Sequence, residues 1–205
     1  MTRTSTALLL LLIPLAGCGD RTNTKTDSTT VAGQPATPAP TPPPASPATD
    51  PSAHAQPGAF VVKADEFNSY KTGLTLAKFN EAIGEQLKPK YDISPECDFL
   101  RPAKFPKGVT AMIIHDTIVR FDIDSAGILT SEGAGVGDTE ARVKELYPGQ
   151  VKVQPHKYTG PTGHYLVVTP KGDALHQMIF ETDGKKVLNY RVGNRPAVEL
   201  VEGCS

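Results

Sequence analysis

Two stretches of this chain hold residues whose types and spacing could do chemistry. The first, TSEGAGVGDTEARVKELYPGQ (Thr130 to Gln150), sets Gly133, Gly135 and Gly137 ahead of a helix-like run. A glycine-rich turn that opens a helix can cradle phosphate on its backbone amides. The dinucleotide form needs a glycine where this chain has Asp138, whose carboxylate would repel a phosphate. The Walker form needs Gly-Lys-Ser/Thr, and no lysine follows. The stretch therefore reads as the entry to a helix, with Asp138 as its cap and the glycines free to turn.

The second stretch, HKYTGPTGHY, brackets Tyr158 and Tyr165 with His156 and His164. In a loop or hairpin the two imidazoles could meet over a metal. Metal sites take three or four ligands, however, and no third stands at a suggestive spacing. No metal and no cofactor is expected. His54 falls in a polar N-terminal segment, His115 and Asp116 at a turn, and His176 in an alternating run from Ala174 to Phe180. Ser94, Ser125 and Ser131 lie in loop-like segments without a nucleophile beside a base. These residues do not predict an enzyme. They suit a binding surface better: Tyr, His and Lys on a Gly-Pro backbone, with Arg120, Arg191 and Arg195 to add polar recognition. The candidate binding residues are His156, Tyr158, His164, Tyr165 and Arg191.

The elements that must position these residues are partly legible. Leu76, Phe79, Ile83 and Leu87 recur at three- and four-residue steps and predict a helix capped by Thr75. CDFL, VTAMIIH and TIVRFDID follow as strands, the last alternating Ile118, Arg120, Asp122 against Val119, Phe121, Ile123. A second helix carries Val143, Leu146 and Tyr147, with Glu140 in its first turn, where negative charge suits the dipole. HYLVVT, ALHQMIFET, KKVLNYRV and AVELVE then read as strands, with Asp183-Gly184 as a hairpin turn.

Composition divides the chain. The 7 Phe and 6 Tyr all lie between Phe60 and Tyr190, so the core belongs to the C-terminal part, one domain from about residue 59 to 205. Residues 19–58 are Thr, Ser, Ala and Pro with almost no large apolar side chain, a composition that stays disordered and favours extended polyproline II. A net charge of −1 argues against a nucleic-acid partner. The opening MTRTSTALLLLLIPLAGC has one basic residue and then an apolar run of about half the roughly 20 residues that a membrane-spanning helix needs. It reads as a signal peptide over residues 1–17.

Its end, Leu15-Ala16-Gly17-Cys18, resembles the lipobox of bacterial lipoproteins. That resemblance implies cleavage before Cys18 and acyl chains, palmitate among them, on the new N-terminus. Several chains anchor firmly, since each buried methylene adds about 0.8 kcal/mol. Gly19 follows the cysteine and Asp20 comes one residue later; by analogy with enteric lipoproteins this favours the outer membrane, facing the periplasm. With Cys18 spent on lipid, Cys97 and Cys204 remain, and an oxidising compartment favours a disulfide between them.

The domain also repeats itself. MIIHDTIVRFDI (Met112 to Ile123) aligns with MIFETDGKKVLNYRV (Met178 to Val192) if the second turn is longer. The expected fold is α+β, with two tandem helix-plus-antiparallel-sheet modules, residues 59–132 and 133–205, forming one domain. GLTLAKFNEAIG and GVGDTEARVKELYPG open the two units. In this they resemble the small β-barrel-assembly lipoproteins of the outer membrane and, in tandem, the β-lactamase-inhibitor proteins. The chain departs from the inhibitors in having no Trp and no paired disulfides. GHYL, FETDGKKV and the ending VEGCS are also similar to an uncharacterised group of proteobacterial lipoproteins. The expected function is that of a membrane-anchored envelope lipoprotein whose domain binds another envelope component, a protein by preference, without catalysis. The alternative is a carbohydrate-binding protein or cell-wall hydrolase acting through residues 156–165.

Overall fold

A computed structural model of the chain describes residues 60–205, apart from Ile93 and Pro95. The expected signal peptide, Cys18, the Pro-rich segment and His54 lie outside the described residues.

The first elements are three short strands, β1 (Val61–Lys63), β2 (Glu66–Phe67) and β3 (Tyr70–Lys71), then helix α1 (Leu76–Ile83). Strands β4 (Cys97–Leu100), β5 (Val109–Ile114), β6 (Thr117–Ile123) and β7 (Leu129–Thr130) follow. Helix α2 (Glu140–Leu146) leads into β8 (Val151–His156), β9 (Gly160–Val168), β10 (His176–Thr182) and β11 (Val187–Asn194). A 3-10 turn, Ala197–Glu199, closes the chain. The short strands form one sheet in the order β3-β2-β1-β7, in which β7 runs parallel to β1. The other sheet has seven strands in the order β4-β5-β6-β11-β10-β9-β8, antiparallel throughout. The architecture is α+β, with two helices and a preponderance of strands.

Local chemistry explains the elements. Thr75 caps α1 by accepting from the Lys78 amide, and Gly84 ends it in the left-handed conformation. Leu87 therefore lies beyond the helix rather than on its face. Asn80 holds it there, donating from Nδ2 to the Leu87 carbonyl at 3.0 Å and accepting from the Leu87 amide at 3.1 Å. His115 and Asp116 both have positive φ and make the tight turn between β5 and β6. At the β10–β11 hairpin the Asp183 carboxylate accepts from the amides of Lys185 and Lys186 at 2.8 Å each.

One face of the large sheet carries the main core. Val109, Ala111, Ile113, Phe121, Ile123, Leu166, Phe180 and Tyr190 point there, and Phe79 and Ile83 of α1 and Val143 and Tyr147 of α2 pack on them. The small sheet adds Val62 and Phe67. Phe67, Phe79, Phe105 and Phe121 form an aromatic centre with ring centroids 4.8–6.4 Å apart. Removing one such ring costs about 3–5 kcal/mol.

The opposite face is covered by the last eleven residues, 195–205, which cross it as a strap. Val198 and Val201 pack on Tyr165, Val167 and Ile179. A disulfide joins Cys204 to Cys97 on β4, and both pack with Met112. AVELVE is thus no strand, against the sequence reading. Its carbonyls are taken by arginine side chains rising from the sheet: Arg120 Nη1 donates to Ala197 and Leu200, and Arg191 Nε to Val198. Pro196, which has no N–H, stands at its start.

The cap of α2 also differs. Thr139, not Asp138, accepts from the Arg142 amide at 3.1 Å. The Asp138 carboxylate instead turns back to the Gly135 amide at 2.8 Å, closing the glycine turn on itself.

Candidate functional site

The glycine loop offers no phosphate cradle. Gly133 and Gly137 have positive φ and turn the chain, as expected. Gly135 is needed for space: a Cβ there would lie 2.9 Å from the Ile128 carbonyl. The loop's amides are spent inside the fold, Gly133 on Thr130, Ala134 on the Thr130 hydroxyl, Gly135 on Asp138 and Gly137 on Val187.

His156 and His164 do not meet. They fall on opposite faces of the β8–β9 hairpin, each on its own glutamate. Of the loop and the hairpin that the sequence left open, HKYTGPTGHY is the hairpin, since residues 160–165 belong to β9. His164 faces α2, where its Nδ1 lies 2.7 Å from Glu140. The Thr182 hydroxyl donates to the same carboxylate, and Lys144 stands 3.4 Å away. Burial pushes the Glu140 carboxyl up, but the Thr182 and His164 hydrogen bonds outweigh it and hold the group below its ordinary range. Thr182 is fully buried, so this triad of groups presents no nucleophile.

His156 faces the strap, among the buried polar residues of that side. Its Nδ1 accepts from the amides of Tyr158 and Thr159 at 3.0 and 3.1 Å. That nitrogen must therefore be bare, which leaves the proton on Nε2, 2.9 Å from Glu181. Glu181 in turn meets Arg191 Nη1 at 3.4 Å. His156 stacks on Tyr165 at 4.6 Å, and the Arg191 guanidinium lies 5.6 Å from the same ring. Arg120 grips Asp122 with both Nε and Nη2 while Nη1 holds the strap. Burial first, and then the charge of Arg120, lower the Arg191 guanidinium below its ordinary pKa.

Of the five expected binding residues, His156, Tyr165 and Arg191 are thus buried fixtures of the strap face. Tyr158 is 60% exposed, at the hairpin tip. It and Lys157 both reach Glu202 near the end of the strap, with the Lys157 ammonium at 2.6 Å. Those contacts, Lys157 foremost, bring the Glu202 carboxyl down to about 2.

Beside the strap, over β8–β10, runs a groove of about 420 Å³. Its floor is Val167 and Ile179, with Tyr165 and Val201 against them. Lys152, Gln154, Gln177, Arg191 and the ion pair of Arg195 and Glu199 also line it. Lys152, Gln154 and Gln177 were missed in the sequence. The alternation of β8 and β10 carried a signal for them: Lys152 and Gln154, like Gln177 and Ile179, are two residues apart and so share a face.

No protein-family model, no curated protein and no solved structure matches this chain. Among the described residues no helix is long and apolar enough to cross a membrane.

Proposed function

We propose that this chain is an envelope lipoprotein, anchored through acylated Cys18 and tethered by residues 19–58, whose domain binds another envelope protein and catalyses no reaction. The observation that carries the binding reading is the strap face. A C-terminal segment is fastened there by a disulfide and two buried arginines. What lies beside it is a groove whose polar walls carry Lys152, Gln154, Gln177, Arg195 and Glu199. Rigid surfaces of this kind bind without a large ordering cost.

The histidines support the non-catalytic half of the proposal. His115, His156, His164 and His176 each sit on a separate carboxylate, at 2.6, 2.9, 2.7 and 2.7 Å. Among the described residues no serine or threonine hydroxyl is hydrogen-bonded to an imidazole, as a nucleophile awaiting a base would be.

The tandem reading is part of the same proposal. Each unit is a helix followed by an antiparallel meander, with the boundary near residue 132. The strand order supports it, because β6 and β11, the last strand that each unit gives to the large sheet, pair antiparallel at the centre. Two copies related by a local two-fold would meet in that way.

Membrane fractionation tests the anchor. The wild-type chain should sediment with membranes and incorporate labelled palmitate, and Cys18→Ser should do neither. Palmitate incorporation that survives Cys18→Ser would sink the lipoprotein assignment.

A further inference from the structure

Gln177 marks a place in the groove beside the strap where hydrogen bonding is left unfinished. It is only 6% exposed, its Nε2 donates to Thr169 at 3.0 Å, and its Oε1 has no partner. Buried polar atoms are seldom left unpaired in a finished fold, so a donor is wanted here. Tyr165, Val167 and Thr169 lie along the groove at alternate positions, over a length of about 13 Å. About four residues of extended chain span that length.

The charges of the walls are mostly spent. Arg195 is paired to Glu199 at 2.9 Å, and Arg191 to Glu181 and the Val198 carbonyl. Lys152, exposed on β8, is the remaining cation, and a lysine on an edge strand commonly guards that edge. The floor offers little apolar surface, since Val198 and Val201 of the strap pack on Val167 and Ile179. What the groove mainly presents is therefore neutral and polar: the amides of Gln154 and Gln177 and a closed ion pair.

We propose that this groove takes an extended, uncharged segment of the partner polypeptide, whose Asn or Gln side chain donates its amide N–H to Gln177 Oε1. This rests on the protein-binding function proposed above and specifies its chemistry. Gln177 is too deeply set for a backbone to reach, so a side chain must. An ammonium would also donate, but Lys152 and Arg195 repel it and the Glu199 carboxylate is already held. A sugar would donate from its hydroxyls, but it needs a ring to stack on. The Tyr165 ring is taken by His156 at 4.6 Å and by the Arg191 guanidinium at 5.6 Å. Gln154, which can donate and accept, suits a second amide of the same segment.

The test is fluorescence anisotropy of the full chain, in detergent micelles, with a labelled hexapeptide of alternating Asn and Ser. Peptides with Asp or Leu in place of Asn, both close to it in shape, and an uncharged cello-oligosaccharide serve as controls. The Asn peptide should bind about tenfold more tightly than either control peptide, the worth of one hydrogen bond. Added salt should change its affinity little. Gln177→Leu should weaken binding about tenfold and erase the preference for Asn over Leu. Lys152→Glu, an exposed change, should leave the preference for Asn over Asp in place. Equal binding of the Asn and Leu peptides, tighter binding of the Asp peptide, no binding at millimolar peptide, or preference for the oligosaccharide would each overturn the proposal. These outcomes are read on the wild-type chain, so they decide it even if Gln177→Leu does not fold. If the Asn peptide fails while the anchored protein still crosslinks to a partner polypeptide, the amide-segment assignment falls and the binding function stands.

Discussion

Arg120 and Arg191 spend their polar chemistry within the fold, each 4% exposed. The sequence marks both as polar recognition groups. The structure turns that recognition inward, onto Asp122, Glu181 and three strap carbonyls. Arg120→Ala would strand Asp122 and two carbonyls, and breaking a buried pair in this way costs about 3–5 kcal/mol. Denaturant unfolding should show that loss, with Arg120→Lys recovering little of it because a point charge cannot make the fork. Acid sensitivity belongs to this scale too. The Glu202 carboxyl sits at about 2 in the fold against an ordinary 4.5. A depressed carboxyl contributes stability that is complete above its unfolded value and is lost as pH falls through the folded one. The difference in stability between wild type and Glu202→Gln should therefore be constant above about pH 5 and shrink towards zero between 4.5 and 2. A difference that grew on acidification would contradict the Lys157–Glu202 contact. Arg120 and Asp122 share a strand face in the sequence, but the strap contacts were not legible there, since Arg120 meets carbonyls 77 and 80 positions away.

At the scale of elements, α1, β4, β5, β6, β10 and β11 follow from periodicity and turn chemistry, because each is strongly patterned and bounded by its own signals. Each miss has its own physical cause. β8 carries Lys, Gln and Pro on an edge, where burial does not enforce an alternation of apolar residues. The strap has apolar residues in a strand-like rhythm, yet arginines from elsewhere take its carbonyls. β1, β2 and β3 are only two or three residues long, too short for a period. The centre of the large sheet depends on a close approach at Gly193, where a Cβ would lie 2.3 Å from the Val119 carbonyl. Gly193→Ala should therefore part β6 from β11 and lower the melting temperature sharply, while Gly172→Ala, in open space, tests backbone strain alone. The disulfide was legible, because the expected use of Cys18 for lipid left one pair of cysteines, and the structure joins it. Closing a loop with a sequence separation of 107 contributes roughly 4.7 kcal/mol in the chain-entropy model. Cys97→Ser/Cys204→Ser should lose up to that amount, and hydrogen exchange should quicken first in residues 195–205. Exchange that quickened evenly over the whole domain would show that the strap is not a separately fastened element.

For the whole molecule, address and domain are separable expectations. The lipobox-like LAGC stretch, the Pro-rich segment and the domain follow one another in sequence, and only the last is among the described residues. The central claim is that the anchored domain meets a partner polypeptide through the strap face. Site-specific photocrosslinking in living cells tests it most directly, with a photoreactive residue at Lys152 on the groove and, separately, at Lys78 on α1. The account predicts a discrete crosslinked polypeptide from position 152, lost when Cys18→Ser is introduced, and none from position 78. No crosslink from position 152, or the same products from both positions, would contradict it.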